Sequence, residues 1–159
     1  MTIAPDIKSL HHDELLIIRV FDAPRDLVYR MWTEARHAVN WWGPRHHPAV
    51  HMEMDVRPGG KWRHCLRGVD DGRELWHHGT FREVMPPEKL VFTLAWEEDG
   101  ERGQETLVTI TFTEDGERTK MVFHHAPFLS VGERDGHTEG WGSAFDRLAE
   151  HLARRERDR

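Results

Sequence analysis

The stretch MDVRPGGKWRHCLRGVDDG, residues 54–72, sets the structural pattern of the central part of this chain. Within it, Pro58-Gly59-Gly60 places the fixed φ of proline before the positive φ that glycine adopts freely, as a type II turn requires. Asp70-Asp71-Gly72 is a second turn signal, of the Asp-Gly kind that favours hairpins. Between the two turns, residues 61–67 alternate in a way that is typical of a strand with one buried face.

The same signals recur along residues 50–125. They are Pro58-Gly59-Gly60, Asp70-Asp71-Gly72, Pro86-Pro87, Asp99-Gly100 and Asp115-Gly116. Five turns separate six strands, and connections this short cannot carry the crossovers that parallel strands need. The region therefore predicts an antiparallel meander of six strands.

One strand and two short helices precede the meander. Residues 14–21 form a largely β-branched apolar run, which predicts a strand. Asp22 and Pro24 then favour the start of a helix. A second short helix is predicted over residues 34–42, where Gly43-Pro44 ends it.

The last predicted element is a long helix. Its apolar residues recur at the spacing of one helix face, and they are Trp141, Phe145, Leu148 and Leu152. Glycines at positions 132, 136, 140 and 142 weaken the earlier turns, so we predict a firm helix only over residues 139–154.

This order of elements, β-α-α-β6-α, predicts an α+β fold. A curved seven-stranded antiparallel sheet would wrap around the long C-terminal helix, and a curved sheet leaves a cavity between the two. We predict one domain over residues 14–153, a flexible N-terminal arm over residues 1–13 and a charged C-terminal tail over residues 154–159.

The composition excludes several classes of protein. Because 28 acidic residues stand against 22 basic ones, for a net charge of -6, the chain lacks the basic surface of a nucleic-acid-binding protein. One cysteine excludes an intrachain disulfide framework and a multi-cysteine zinc site. We find no apolar run long enough for a membrane span and no export signal, so we expect a cytoplasmic protein with no membrane partner.

Tryptophan and histidine carry the remaining information, with 7 Trp and 13 His in the chain. Adjacent side chains of a strand point to opposite faces, so neighbouring histidines of one strand do not bind one metal together. Alternation places His64 and His125 inward with apolar neighbours, and either one is a candidate acid/base. Strand 74–84 is ambiguous, since a register error of one residue exchanges its two faces.

These patterns yield a set of candidate cavity residues. They are Trp41, Trp62, His64, Leu66, Trp76, His78, Trp96, Met121, Phe123, His125, Trp141 and Phe145. We find no nucleophile motif, phosphate loop or His-Glu-x-x-His motif, so we predict neither a cofactor nor a metal.

Several motifs in combination resemble a known superfamily. They are Val20-Phe21-Asp22-Ala23-Pro24, Leu27-Val28-Tyr29, Trp41-Trp42-Gly43-Pro44, residues 54–62, residues 86–93, and His137 with Gly140-Trp141. The chain resembles the START-like, Bet v 1-like (SRPBCC) superfamily, in its branch of activator of heat-shock protein 90 ATPase homologues. The resemblance implies the helix-grip fold, and it suggests a link with stress response. Its relatives include lipid and hormone carriers, polyketide cyclases and chaperone-binding domains, so it does not fix one activity.

Three functions therefore stay open. We favour a binding protein that holds a small hydrophobic or aromatic ligand between the sheet and the C-terminal helix. The first alternative is a cofactor-free cyclase, dehydratase or hydrolase that uses a cavity histidine, although we consider an enzyme less favoured. The second is a chaperone-interacting or other protein-interaction module, and the sequence leaves a homodimer open.

Overall fold

The structure, a computed structural model, describes residues 6–8, 12–98 and 101–157. The strands are β1 (Asp6–Lys8), β2 (Leu15–Phe21), β3 (Ala49–Met54), β4 (Lys61–Arg67), β5 (Glu74–Met85), β6 (Lys89–Glu98), β7 (Glu101–Arg102), β8 (Thr106–Asp115) and β9 (Arg118–Ala126). The helices are α1 (Arg25–Thr33), α2 (Ala35–Ala38) and α3 (Val131–Arg157).

The strands form one antiparallel sheet in the order β1-β2-β9-β8-β6-β5-β4-β3, and β7 also pairs with β6. The seven longer strands are those that the sequence predicts, so the helix-grip fold with its long C-terminal helix is confirmed. The two additional strands are short. One of them, β1, lies within the segment predicted as an arm and pairs with β2. The division into arm, domain and tail stays a prediction.

Glycines form the tight turns where the sequence places them. Gly59, Gly72 and Gly116 have φ angles of 85°, 70° and 63°, which residues with a Cβ rarely adopt. Pro86 and Pro87 join β5 to β6 through a cis peptide bond. The fifth predicted turn, Asp99-Gly100, lies outside the described residues.

The ladder between β5 and β6 is interrupted beside Gly79. His78 pairs with Ala95, and the next paired residues are Phe81 and Phe92. Side chains bind the backbone groups that remain unpaired between these two pairs. Thr80 N–H donates to Thr93 Oγ1 at 2.9 Å, and Trp62 Nε1–H donates to the Thr93 carbonyl at 3.1 Å. A Cβ on Gly79 would lie 1.7 Å from that carbonyl oxygen, so only glycine allows this arrangement.

Two helices differ in length from the predictions. Helix α2 is shorter, because beyond Ala38 the chain tightens into a turn in which the Trp41 and Trp42 amides both reach the Ala38 carbonyl. Helix α3 is longer and runs unbroken through its glycines. Ser130 Oγ accepts the Glu133 amide at 3.1 Å, as the N-cap of a helix does.

An aromatic core fills the space between the sheet and the C-terminal half of α3. Trp32 lies at its centre, with ring centroids 4.7 Å from Trp41, 6.1 Å from Phe123 and 5.9 Å from Phe145. All four side chains are buried. The core is therefore closed here, whereas the described residues leave open space towards the N-terminal half of α3.

Candidate functional site

A cavity of about 420 Å³ lies between the N-terminal half of α3 and the inner face of the sheet. This volume is within the range of small-molecule sites. Three walls enclose it, from α3, from strands β4 to β6, and from the loop that follows α2.

The helix wall explains why the space exists. It is one face of α3, formed by Glu133, Gly136, His137, Gly140, Trp141 and Ala144. A Cβ added to Gly136 or Gly140 would have no atom within 4 Å, so the cavity includes the volume that larger side chains would take. Further along the same face, Phe145, Leu148 and Leu152 are buried and close the gap. Small residues on half of one helix face therefore create the cavity.

The strand wall is apolar and aromatic. It consists of Leu66 from β4, Leu75 and His77 from β5, and Leu94 and Trp96 from β6. His77 and Trp96 are register partners, and their rings lie 4.4 Å apart at an interplanar angle of 31°. The two rings are tilted against each other, and both residues line the cavity together with the small residues of α3.

The loop wall comprises Trp42, Gly43, Pro44, His46 and His47. Arg147 of α3 holds the start of this loop. Its guanidinium donates to the carbonyls of Trp42 at 3.1 Å, Gly43 at 2.7 Å and Asn40 at 3.0 Å. Gly43 has a φ of 87°, and a Cβ there would lie 2.5 Å from the His47 carbonyl oxygen.

Three tryptophan–histidine pairs fix the aromatic walls. Indole N–H groups donate to imidazole nitrogens from Trp42 to His77 at 2.9 Å, from Trp96 to His137 at 2.9 Å and from Trp141 to His125 at 3.1 Å. An imidazole that accepts a hydrogen bond is neutral. Burial also lowers the pKa of His77 and His125 well below the usual range. The pairs therefore occupy the three indole N–H groups within the protein, whereas Nδ1 of His77, which lines the cavity, has no hydrogen-bond partner among the described residues.

His125 belongs to a closed hydrogen-bond chain. Thr106 Oγ1 donates to the Leu94 carbonyl at 2.8 Å, so it accepts from His125 Nε2, which lies 2.7 Å away. The other ring nitrogen accepts from Trp141. Both nitrogens of this buried side chain are occupied, so His125 stabilises the core and has no free lone pair for proton transfer.

His64 is also unsuited to acid/base chemistry in the cavity. It lies outside the three walls, against a separate void of about 10 Å³ that Trp62 also lines. Burial lowers its pKa to about 3, so it stays neutral throughout the physiological range. Neither candidate acid/base therefore contacts the large cavity. Among the described residues, no three His, Cys, Asp or Glu side chains are grouped so that they could bind a metal.

The structure brings together only some of the predicted cavity residues. Leu66, Trp96 and Trp141 line the cavity. Trp41, Met121, Phe123, Phe145 and His125 are buried in the core instead, and Trp62 and His64 lie beside the small void. The assignment of these seven residues to the cavity is therefore corrected. The physical reason is that the aromatic core fills the space that they face.

Trp76 and His78 are corrected for a different reason, because they lie on the outer face of the sheet. Arg63 stacks on Trp76, with its guanidinium carbon 4.0 Å from the ring centroid. His78 Nδ1 lies 2.8 Å from Glu97 Oε2. Hydrogen bonds from Arg63 and then His78 lower the pKa of Glu97 to about 2. The other register of β5 is the actual one, and it turns Leu75 and His77 inward.

Sequence reasoning missed Trp42, His77, His137 and the glycines of α3 as wall residues. The spacing of Gly136, Gly140 and Ala144 along one helix face is the signal that could have found the wall. Helix propensity alone predicts only that these glycines weaken the helix.

Comparison with known proteins identifies relatives of the whole domain. The model of a family described as Activator of Hsp90 ATPase homolog 1-like protein matches residues 22–153. No curated protein matches the chain. In the described part of the chain, no helix is both long and apolar enough to cross a membrane.

Solved bacterial structures share the fold. Protein Ms6760 from Mycobacterium smegmatis is 26% identical with a TM-score of 0.78, over 93% of this chain and 96% of that one. A protein from Arthrobacter aurescens is 24% identical with a TM-score of 0.83, over 97% and 93%. The AHSA1 protein from Silicibacter pomeroyi is 24% identical with a TM-score of 0.79, over 88% and 97%.

Proposed function

This chain belongs to the family of Activator of Hsp90 ATPase homolog 1-like proteins, and on that premise we propose that it binds a small apolar ligand in the cavity between the sheet and α3. The observation that carries the proposal is the cavity itself, about 420 Å³ with aromatic and aliphatic walls. Burying an apolar ligand there removes apolar surface of both partners from water, which favours binding.

Binding agrees better with the site than catalysis does. His125 has both nitrogens occupied, and His64 lies away from the cavity with a pKa of about 3. Proton transfer needs a group within hydrogen-bond reach of the substrate and a pKa near the working pH. Neither candidate meets both conditions.

The experiment is a fluorescence titration with phenylnaphthylamine, a neutral apolar probe. We expect saturable binding to the wild-type protein. Gly140→Leu places a side chain in the cavity and should weaken binding by about tenfold or more, which is 1.4 kcal/mol. Gly142→Leu is the matched control, because Gly142 lies on the same helix but does not line the cavity.

Two results would contradict the proposal. One is the absence of saturable binding to the wild-type protein. The other is equal affinity in wild type and Gly140→Leu, when circular dichroism shows that both proteins are folded, since the probe would then bind elsewhere.

A further inference from the structure

We propose that the small void lined by Trp32 and His64 is a binding site for one ordered water molecule, which bridges helix α1 and strand β4. The inference goes beyond the proposed ligand binding, because this void is separate from the large cavity. Three features support it, namely the unpartnered polar groups of the wall, the volume of the void and the position of both groups in the core.

The wall of the void is largely aromatic. Its eight side chains are Trp32, Trp42, Met54, Trp62, His64, Phe81, Leu90 and Phe92. The strong hydrogen-bonding groups among them are three indole N–H groups and one imidazole. Any polar molecule in the void would therefore be held by these four side chains.

Two of the three indoles have partners within the protein. Trp42 Nε1–H donates to an imidazole at 2.9 Å, and Trp62 Nε1–H donates to a backbone carbonyl at 3.1 Å. In contrast, Trp32 Nε1 and His64 Nδ1 are both buried without a hydrogen-bond partner among the described residues. A buried polar group without a partner is unfavourable. Two such groups in one small wall indicate a molecule that binds both.

The chemistry of the two groups fits water. An indole N–H only donates, so Trp32 requires an acceptor such as a water oxygen. A neutral imidazole has one donor and one acceptor nitrogen, and burial lowers the pKa of His64 to about 3, which keeps the ring neutral. Because water both donates and accepts, it can bind either tautomer of His64. An ion in this aromatic wall would lose its hydration without a counter-charge, which is unfavourable.

The volume of the void also fits water. It is about 10 Å³, and a site needs about 10–15 Å³ to hold one water molecule. Organic ligands occupy sites of about 300 Å³ or more, so the void is too small for them. Cavities with only apolar walls stay dry, whereas buried waters are found where unsatisfied polar groups surround them. The void belongs to the second kind.

The position of the two groups gives the water a structural role. Trp32 and His64 are each 2% exposed, and both rings contact Trp42, with centroids 5.6 Å and 5.0 Å from its ring. A water bound to both side chains connects α1 to the sheet where they make no direct hydrogen bond. Trp42 also lines the large cavity, so this site lies directly behind a residue of the cavity wall.

Cross-relaxation between water and the indole protons, measured by NMR, tests the site. We expect a rotating-frame cross-peak between water and Trp32 Hε1, with the sign opposite to that of an exchange peak. Trp41 is the internal control, because its buried indole N–H donates to the Met31 carbonyl at 3.1 Å and it does not line the void. None of the eight described wall side chains has a hydroxyl proton that could relay the signal.

Two variants show whether the imidazole holds the water. His64→Leu removes the hydrogen-bonding group, whereas His64→Gln keeps one on a side chain of similar size. A buried water needs two or more polar partners, so we expect the cross-peak to fall at least about fivefold in His64→Leu and to stay within about twofold of wild type in His64→Gln.

Three results would overturn the proposal. They are no cross-peak at Trp32 in the folded wild-type protein, an equal cross-peak in His64→Leu, and an equal cross-peak at Trp41. If His64→Leu does not fold, a high-resolution crystal structure of the wild-type protein decides. A water within about 2.7–3.2 Å of both Trp32 Nε1 and a His64 nitrogen supports the proposal, and a void without that water contradicts it.

Discussion

Acidification from pH 7 to pH 5 should destabilise this protein strongly, because at least three imidazoles are buried in neutral form. His64, His77 and His125 are 2%, 1% and 0% exposed, and burial lowers the pKa of each. In the unfolded chain an ordinary imidazole has a pKa near 6.5. Unfolding therefore takes up protons below that pH, and stability that is complete above pH 6.5 is lost as the pH falls.

The size of the effect follows from proton linkage. An imidazole that is neutral when folded and has a pKa of about 6.5 when unfolded loses about 2 kcal/mol between pH 7 and pH 5. Three such groups lose roughly 6 kcal/mol, which is comparable with the whole stability of a typical domain, about 5–15 kcal/mol. Burial also lowers the pKa of His37 and of His151, the latter to about 4. The slope near pH 5 should therefore be at least about 4 kcal/mol per pH unit, or three protons. Glu97, whose pKa is about 2, adds to the loss only at lower pH.

Urea unfolding at half-unit steps from pH 7.5 to pH 5 would measure this slope. His64→Gln should reduce it by about one proton, or about 1.4 kcal/mol per pH unit. Val108→Ala is the control, because it weakens the buried core and leaves every titratable group in place. A wild-type slope below two protons, or an unchanged slope in His64→Gln, would refute the assignment of neutral buried imidazoles.

Two further predictions concern the scaffold around the cavity. Gly79→Ala should destabilise the protein by about 2 kcal/mol or more in thermal unfolding, because its Cβ would overlap the Thr93 carbonyl and displace Trp62; a change below 0.5 kcal/mol would contradict this packing. Arg147→Met removes three hydrogen bonds to the loop, so it should lower the free energy of unfolding by about 1–3 kcal/mol. It should also speed amide hydrogen exchange at Ala49, because the Ala49 N–H donates to the Trp42 carbonyl in that loop. Unchanged exchange at Ala49 would show that the guanidinium does not hold the loop.

The strands and turns could be predicted from the sequence because their signals are local. A proline or a glycine with positive φ acts within three or four residues, as at Pro58-Gly59, and hydrophobic spacing along α3 identifies its buried face. The length of α3 could not be predicted in this way, since its tertiary contacts override the low helix propensity of its glycines.

The cavity could not be predicted at the level of residues. Whether His77 or His78 faces inward depends on the register of β5, and a shift of one residue exchanges the two. The pattern of apolar residues along the chain also does not reveal which of them border a cavity. Trp41 and Trp42 are both buried, but only Trp42 lines the cavity. The Trp–His pairs join residues 16 to 41 positions apart, so no local motif reveals them.

The small-residue strip of α3 also bears on how proteins of this fold can diverge. Gly136, Gly140 and Ala144 determine volume while the strands, turns and aromatic core are formed by other residues. Enlarging Gly136 or Gly140 would reduce the volume of the cavity and strengthen the helix together, since glycine is about 1 kcal/mol less favourable than alanine in a helix. Changes of cavity volume are thus within reach of single substitutions that leave the sheet untouched. A lineage could move from an open cavity to a filled, more stable scaffold in a few steps.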